Sequence, residues 1–366
     1  MAGKSSAPAA QGRRYCAVRS VPPKPLPSTV GGARLALIQV LSSKWVNGTV
    51  LKYAFVGSAV VPMEDGSRSL LTWTMKPAQL AQCRKAFKVW TDRGIGIVFE
   101  EATDPAAAQV RIGFHSELGS WSYVGRDLLS AASDELTMNI GWDISVDIDT
   151  AVHEIGHTLG FPHEHQNPNA GIVWNEAAVY AALAAPPNRW SQEKTFYNII
   201  RKISPDSVQG SAWDPNSVMH YPFEAGLIDK PEKYRTVALT PAGGLSARDV
   251  EWVKTFYPAP TKKAEPNLLS RLKSVDIDLK PGEQRDFVLR PKKTRDYTIR
   301  TFGESDTVIV LFEKTASGPV YVAGDDDSGE DRNAELKLRL IQGREYILRV
   351  RLYYSYEPGG FAVMYW

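Results

Sequence analysis

The spacing of apolar residues divides the chain into two parts with different periodicities. In the first part, apolar side chains recur every three or four positions between short alternating runs, which predicts helices and strands. One helix is predicted over residues 77–93, with a buried face formed by Leu80, Cys83, Phe87 and Trp90. After Tyr257, only short alternating runs recur between turn residues, as at 297–300 and 346–350. We therefore expect an α+β domain followed by an all-β sandwich.

Further elements follow from local signals within the first part. Strands are predicted at 51–55, 97–100 and 110–114, and helices over 150–159, 175–185, 191–203 and 246–256. The candidate helix caps are Asp149 or Thr150 for the first helix, and Asn175, Ser191 and Ser246 for the others. In the helix 191–203, the expected buried face consists of Phe196, Ile199, Ile200 and Ile203.

Composition suggests four segments along the chain. Residues 1–34 are basic and rich in Pro, Ala, Ser and Gly, and the run 22–27 should be extended. We expect a tail or wrapping segment there, which could serve as an inhibitory pro-segment. A catalytic domain at 35–257, a linker at 258–266 and a β-sandwich domain at 267–366 complete the division.

Overall composition excludes several classes of protein. Of the 366 residues, 43% are hydrophobic and 23% charged, and no apolar run reaches the ~18 residues of a membrane helix. A formal net charge of +2 gives no general field for nucleic acid, although residues 1–63 hold eight Lys or Arg and no Asp, Glu or His. Cys16 and Cys83 allow one disulfide at most, which leaves the compartment open, and no signal peptide is visible.

The strongest chemical signal lies in the helix predicted over 150–159. His153 and His157 are four residues apart, so both imidazoles lie on one helix face with the spacing to bind one metal ion. Gly160 lets the chain leave the helix and bring His163 back as a third ligand. Three neutral imidazoles leave Zn²⁺ an open position for water, and Glu154 stands beside it as the general base.

These motifs resemble those of the metzincin metallopeptidases, whose extended histidine motif is followed by a methionine turn. Residues 217–221, Ser-Val-Met-His-Tyr, supply that turn, and Glu164 after the third ligand is similar to the astacin branch. The runs 121–125, 137–139 and 163–168 resemble bacterial and fungal astacin-like proteins. After Glu164 the chain lacks the Arg- and Asp-rich continuation of animal astacins.

The resemblance implies roles for further residues. Tyr221 would be a displaceable zinc ligand that stabilises the oxyanion, and Met219 would form an apolar floor under the histidines. Glu164 would pair with a freed amino terminus, although a surface or hydrogen-bonded carboxylate fits equally well. Residues 110–125 would supply the edge strand that pairs with substrate. His115, His165 and His220 lie outside the ligand spacing and are expected to be structural. Secretion is implied by the resemblance alone.

The basic segment contains one strong zinc ligand. Because no Asp, Glu or His precedes Glu64, we hypothesise that Cys16 caps the zinc in a latent form, with a thiolate favoured by neighbouring arginines and the metal. The alternative is a free thiol on a disordered tail. Activation would follow a cut near Arg34. Cys83 is expected to be buried in the core.

Residues 267–366 resemble the bacterial pre-peptidase C-terminal domain through their turns at 305–307, 325–329 and 343–346. Asp325, Asp326 and Asp327 could bind Ca²⁺, although an exposed acidic turn fits as well.

The function predicted from these residues is hydrolysis of peptide bonds in extended protein segments by a zinc endopeptidase. Two alternatives remain at this stage: a binding protein that keeps the zinc site as a scaffold, or a zinc amidase or esterase. The intact Glu154 argues against the binding protein. Oligomeric state and side-chain preference have no readable code in the sequence.

Overall fold

The computed structural model describes residues 13–19, 44–45, 48–63, 65–203, 212–259, 267–330, 332–353 and 358–366. The polyproline run, the expected cut near Arg34 and most of the linker lie outside the described residues. The chain separates into two compact units, Met1–Lys254 and Thr255–Trp366. Within the part of the chain that the structure describes, no helix is both long and apolar enough to cross a membrane.

Over its described residues, the first unit combines strands with α-helices. The strands are β1 (Val50–Phe55), β2 (Ser58–Pro62), β3 (Arg68–Thr72), β4 (Val98–Glu101), β5 (Val110–Gly113), β6 (Ser120–Ser122), β7 (Met138–Ile140), β8 (Val173–Trp174) and β9 (Ile228–Lys230). The helices are α1 (Pro77–Thr91), α2 (Asp149–Thr158), α3 (Glu176–Ala184), α4 (Gln192–Thr195) and α5 (Ala247–Phe256).

A five-stranded mixed sheet supports the first unit, with the strand order β4-β1-β5-β7-β6. Strands β4, β1, β5 and β7 run parallel, with Tyr53 opposite Val110 and Ile112 opposite Met138. The edge strand β6 is antiparallel to β7. The hairpin of β2 and β3 and the pair of β8 and β9 lie outside this sheet.

Helix α1 confirms the predicted amphipathic pattern with one change. Its buried residues are Cys83, Ala86, Phe87 and Trp90, whereas Leu80 is only half-buried. The indole Nε1 of Trp90 donates to the carbonyl oxygen of Val152 at 2.9 Å. This hydrogen bond ties α1 to α2, the helix that carries the histidine motif.

The start of α2 differs from the prediction. Asp149 lies inside the first turn, and the N-cap residue is Ile148, which has no side chain able to cap. The Asp149 carboxylate instead accepts a hydrogen bond from the backbone N–H of Gly244 at 2.8 Å. The Asp149 side chain, predicted to cap the helix, therefore makes a long-range hydrogen bond instead. Beyond α2, Gly160 has φ 95°, as the predicted helix exit requires.

The helix expected over 191–203 is shorter and changes its winding. Asn175 and Ser191 cap α3 and α4 as predicted, by accepting from the backbone N–H groups of Ala178 and Lys194. After Thr195 the chain continues as a π-helix over Phe196–Ile200. Phe196 is 48% exposed, so its predicted burial is wrong. The change to a wider turn at this residue breaks the 3.6-residue periodicity on which that prediction depended.

The second unit is an all-β sandwich, as predicted. Its strands are β10 (Asn267–Leu268), β11 (Val275–Leu279), β12 (Gln284–Leu289), β13 (Arg295–Phe302), β14 (Thr307–Thr315), β15 (Gly318–Asp325), β16 (Glu335–Leu340), β17 (Tyr346–Leu352) and β18 (Gly359–Tyr365). They form two sheets, β10-β12-β17-β14-β15 and β11-β18-β13-β16. Alternate residues such as Ile299, Leu348 and Val350 fill the core.

The calcium site suggested in this unit finds no support. Asp325 accepts hydrogen bonds from Ser328 and from the backbone N–H of Glu335, so its carboxylate closes a local turn. Among the residues described, the three aspartates do not come together as a metal-binding group.

Candidate active site

Four ligand atoms from distant parts of the chain meet in the first unit. His153 and His157 project from α2, His163 follows the turn at Gly160, and Cys16 comes from the segment 13–19. One atom from each of these side chains lies within 4.8 Å of the other three, and all four residues are buried. The helix spacing and the glycine turn therefore bring the three histidines together, and Cys16 joins them.

Hydrogen bonds to backbone carbonyl oxygens fix the tautomers of His153 and His157. The Nδ1 atoms of His153 and His157 lie 2.7 Å from the carbonyl oxygens of Val218 and Phe161, respectively. A ring nitrogen that faces a carbonyl oxygen must carry the proton, which leaves a lone pair on each Nε2. The Nε2 atom of His153 is buried without a hydrogen-bond partner, and the Nε2 atoms of His157 and His163 are 3.0 Å apart. Three imidazole nitrogens that converge in this way fit a shared cation.

Burial also sets the charge of these side chains. Loss of hydration lowers the pKa of His153 to about 4 and holds the pKa values of His157 and His163 well below the usual range. The three imidazoles are consequently neutral at physiological pH. Neutral imidazole is the form that binds Zn²⁺.

Glu154 is fully buried beside the four ligand atoms. Its Oε2 atom accepts from the thiol of Cys16 at 3.5 Å, and its Oε1 atom has no hydrogen-bond partner among the described residues. Burial raises the pKa of this carboxyl to about 8, against a small opposing effect of the Cys16 hydrogen bond. A carboxyl with this pKa can both accept and return a proton near neutrality.

Tyr221 contacts both His163 and Cys16. Its hydroxyl contacts the Nε2 atom of His163 and donates a hydrogen bond to the carbonyl oxygen of Cys16 at 2.6 Å. Burial and the neighbouring Cys16 hold the pKa of the phenol well above its usual range. Tyr221 therefore acts as a neutral hydrogen-bond donor to a peptide carbonyl in this site.

Met219 packs against α2 at Gly156, a residue to which the sequence analysis gave no role. A Cβ atom added to Gly156 would lie 2.4 Å from the Met219 Sδ atom and 3.2 Å from Trp90 Cζ2. Only glycine at position 156 leaves room for the methionine. The signal was present in the motif itself, where Gly156 separates Ile155 from His157.

Asp249 of α5 stabilises residues 217 and 218 next to the site, and the sequence did not predict this role. Its carboxylate accepts from the hydroxyl of Ser217 at 2.6 Å and from the backbone N–H of Val218 at 2.8 Å. Since the carbonyl oxygen of Val218 accepts from His153, this carboxylate positions the His153 imidazole indirectly. No local sequence signal could have found it, because the contact spans 31 residues.

The structure places Glu164 in a hydrogen-bonded setting. Its carboxylate accepts from Asn167 Nδ2 at 3.1 Å and from the backbone N–H of Asp214 at 2.9 Å, and its own N–H donates to Met219 O. Burial raises the pKa of the Glu164 carboxyl to about 7. This arrangement agrees with the second of the two roles expected from the sequence.

The other histidines lie outside the four-atom group. His165 Nε2 bonds the carbonyl oxygen of Asn198 at 2.9 Å, and His220 Nδ1 bonds Tyr221 O at 2.7 Å. His115 is held through its backbone by the Asn139 side chain. Each of these contacts is structural.

Cys16 differs from the prediction in one respect. The residue is 1% exposed, and burial together with Glu154 raises the pKa of its thiol well above the usual range. Arginine activation is therefore wrong, because Arg13 pairs with Glu224 and Arg19 stacks over Trp121 instead. A thiolate at this position requires a cation among the histidines. Cys83 is a buried free thiol, as predicted.

Comparison with known proteins assigns the first unit. The family model of the Astacin peptidases matches residues 70–240. Bone morphogenetic protein 1 of Xenopus laevis is 28% identical over 194 residues, which cover 50% of this chain and 25% of that protein. Zinc metalloproteinase nas-36 of Brugia malayi is 29% identical over 157 residues, which cover 42% and 23%. The chain thus spans about a quarter of the length of these two relatives.

A solved structure provides the fuller match. The structure of myroilysin is 31% identical, with a TM-score of 0.51, and the match covers 61% of this chain and 98% of that one. Nearly the whole of a relative above 30% identity is therefore represented here. On this match and that of the family model, the chain belongs to the astacin family of peptidases and is a zinc metalloendopeptidase.

Proposed function

We propose that the chain hydrolyses peptide bonds with Glu154 as general base and that Cys16 keeps it latent. The observation that carries this proposal is the convergence of Cys16 with His153, His157 and His163, with Glu154 alongside. Three histidine Nε2 atoms would hold Zn²⁺, and the Cys16 sulfur would complete the four N and S ligands that zinc prefers.

Zn²⁺, when bound, lowers the pKa of a coordinated water and polarises a carbonyl oxygen. The protein's own groups carry the proton transfers. Glu154 takes a proton from the attacking water and delivers it to the leaving amine nitrogen, and its raised pKa suits both steps. Tyr221 donates a hydrogen bond to the carbonyl oxygen of the scissile bond as that oxygen gains negative charge.

The contacts of Tyr221 support this assignment. Its hydroxyl already donates to a peptide carbonyl, that of Cys16, within the site. By family resemblance, the same hydroxyl is a displaceable zinc ligand, and its contact with His163 Nε2 is consistent with that role. Residues 217–221 would serve as the methionine turn, with Met219 as an apolar floor and Gly160 as the exit that brings back His163.

Latency follows from occupation of the fourth ligand position. While Cys16 lies among the histidines, water and substrate have no access to the position that catalysis requires. Activation requires withdrawal of the segment 13–19, by cleavage or by displacement. By family resemblance, Glu164 would pair with a new amino terminus.

By resemblance, the protein would be secreted, and the β-sandwich unit would serve as a pre-peptidase C-terminal domain. A peptide or protein is the substrate class that the family supports. The peptidase family match also favours peptide hydrolysis over the amidase, esterase and binding alternatives. Simple ester and amide substrates assayed beside peptides would separate those alternatives.

The proposal is tested by digestion of a peptide library with the full-length chain, the Cys16→Ala variant and the Cys16→Ala/Glu154→Gln variant, each with measured zinc content. We expect Cys16→Ala to be active and the double variant to lose a factor of roughly 10²–10⁴ at equal zinc. The proposal that Cys16 keeps the enzyme latent is wrong if the Cys16→Ala variant is no more active than the parent at equal zinc content. The general-base role is wrong if the double variant keeps the activity of Cys16→Ala.

A further inference from the structure

Residues 13–19 enter the site as a segment without regular secondary structure, and amide side chains hold its backbone. Asn188 makes two of these contacts: its Nδ2 donates to Arg13 O at 2.7 Å, and its Oδ1 accepts from Tyr15 N at 3.1 Å. Asn198 Oδ1 accepts from Val18 N at 2.9 Å. Such contacts hold a peptide of any sequence, because they use only backbone groups.

The carbonyl group of Cys16 marks where this peptide meets the catalytic groups. It accepts the Tyr221 hydrogen bond that we assign to the scissile carbonyl of a substrate. A substrate whose scissile carbonyl accepts the same hydrogen bond would place its neighbouring side chains close to the positions of those in this segment.

Tyr15 fills an aromatic pocket directly beside that carbonyl. Its ring stacks on Phe223 at a centroid distance of 5.6 Å, and it meets the edges of Tyr221 at 5.3 Å and Trp190 at 6.4 Å. Tyr15 is 7% exposed and belongs to the same buried cluster as Val179 and Leu183 of α3. Aromatic rings packed in this way contribute beyond simple burial of apolar area.

The flanking arginines contribute less to recognition. Arg13 and Glu224 form an ion pair whose side chains are both partly exposed, and such pairs contribute little. Arg14 is exposed. The tyrosine is therefore the side chain that anchors the segment on this side of the four ligand atoms.

We propose that the pocket lined by Trp190, Tyr221 and Phe223 is a substrate subsite for an aromatic side chain. The preferred substrates are extended protein segments that have Tyr, Phe or Trp within two residues of the cleaved bond, with Asn188 holding their backbone. This inference rests on the proposed function and adds the substrate class to it.

The first experiment uses the full-length Cys16→Ala variant and maps its cleavage sites in a peptide library by mass spectrometry. We expect aromatic residues to be enriched several-fold within two positions of the cut. In the same background, Trp190→Ala should lower the ratio of kcat/KM for a tyrosine peptide over its alanine counterpart about tenfold, a loss equivalent to ~1.4 kcal/mol. Phe196→Ala, at an exposed aromatic residue of the π-helix, is the matched control and should leave the ratio unchanged.

A second experiment tests the pocket without catalysis. With Cys16 intact, Tyr15→Ala should release zinc to an excess of chelator about tenfold faster, because the segment loses its anchor. Tyr15→Phe keeps the ring, and Arg14→Ala changes an exposed neighbour, so both should release zinc at the parent rate.

The outcomes separate the two proposals. Cleavage without aromatic preference, or zinc release that is unchanged by Tyr15→Ala, overturns the subsite and leaves the peptidase standing. A zinc-loaded Cys16→Ala variant that cleaves no peptide overturns both.

Discussion

Tyr221 illustrates how one side chain in this site depends on its surroundings. Its hydroxyl lies between His163 and a peptide carbonyl, in a setting where burial keeps the phenol protonated by raising its pKa. A protonated hydroxyl can donate a hydrogen bond but carries no charge. Its contribution to catalysis should therefore be stabilisation of developing negative charge and should not extend to binding of the neutral substrate.

Replacement of Tyr221 by Phe tests this distinction. In the Cys16→Ala background, Tyr221→Phe should lower kcat by roughly 10²-fold while KM stays nearly constant, because only the oxyanion donor is lost. Steady-state kinetics with matched zinc content would measure the split. An unchanged kcat would assign Tyr221 to packing alone.

The buried histidines predict the pH dependence of the zinc-free protein. Five of them, His153, His157, His163, His165 and His220, have pKa values lowered by burial. The unfolded chain therefore binds more protons than the folded one, and stability falls as the pH drops from about 6.5 towards about 4. The raised pKa values of Glu154, Glu164 and Asp249 act in the opposite sense, with stability lost as the pH rises towards about 8 for Glu154 and about 7 for Glu164, but fewer groups contribute.

Urea unfolding of the chelator-treated protein between pH 4 and pH 7 would measure this dependence. The five histidines should outweigh the three carboxyls, so the free energy of unfolding should rise with pH across most of that interval. A flat profile would contradict the burial of these imidazoles.

Helix α2 is the element on which the site depends most. It supplies two histidines and the glutamate, and both Trp90 of α1 and Met219 pack against it at Gly156. The absence of a side chain at Gly156 allows Met219 to approach, although glycine weakens a helix interior by ~1 kcal/mol relative to alanine. Close packing against the methionine has taken precedence over helix propensity.

Substitution of that glycine should therefore destabilise the protein. Gly156→Ala gains helix propensity but places a Cβ atom 2.4 Å from the Met219 Sδ atom, and overpacking of this kind costs about 1–3 kcal/mol. We expect a net loss of stability and weaker zinc binding, measured by thermal unfolding and by titration of the metal.

A double-mutant cycle gives the control. Met219→Ala removes the obstructing sulfur, so Gly156→Ala should be better tolerated in the Met219→Ala background than in the parent. Additive effects of the two substitutions would show that the contact is not the cause.

For the whole molecule, the ligand set links segments that lie far apart in sequence. Cys16 and His157 are separated by 141 residues, and Tyr221 contacts Cys16 across 205. A cation shared by these groups stabilises only the folded arrangement, by ~4 kcal/mol at a free concentration 1,000 times its dissociation constant. Metal binding should therefore stabilise the first unit in particular.

Hydrogen exchange with and without chelator would locate this effect. Removal of zinc should increase exchange in α2 and in residues 13–19, whereas the β12 and β17 strands of the second unit should keep their protection. Equal loss of protection in both units would contradict a metal-dependent effect confined to the first.

The sequence predicted much of this protein because several of its signals are local. The four-residue spacing of His153 and His157, the glycine exit at 160 and the alternating runs after residue 267 each depend on helix or strand periodicity. Family resemblance added Met219 and Tyr221, whose positions follow a short motif.

Other features follow only from contacts between distant segments, which no local pattern encodes. Folding brings Asp249 beneath Val218, turns the Asp149 carboxylate from the helix cap towards Gly244 and exposes Phe196 at the π-helix. It also places Tyr15 against Phe223 and seats Cys16 beside Glu154, away from the arginines expected to activate it. The free energy of burying these side chains depends on partners up to about two hundred residues away, so it is defined only in the packed chain.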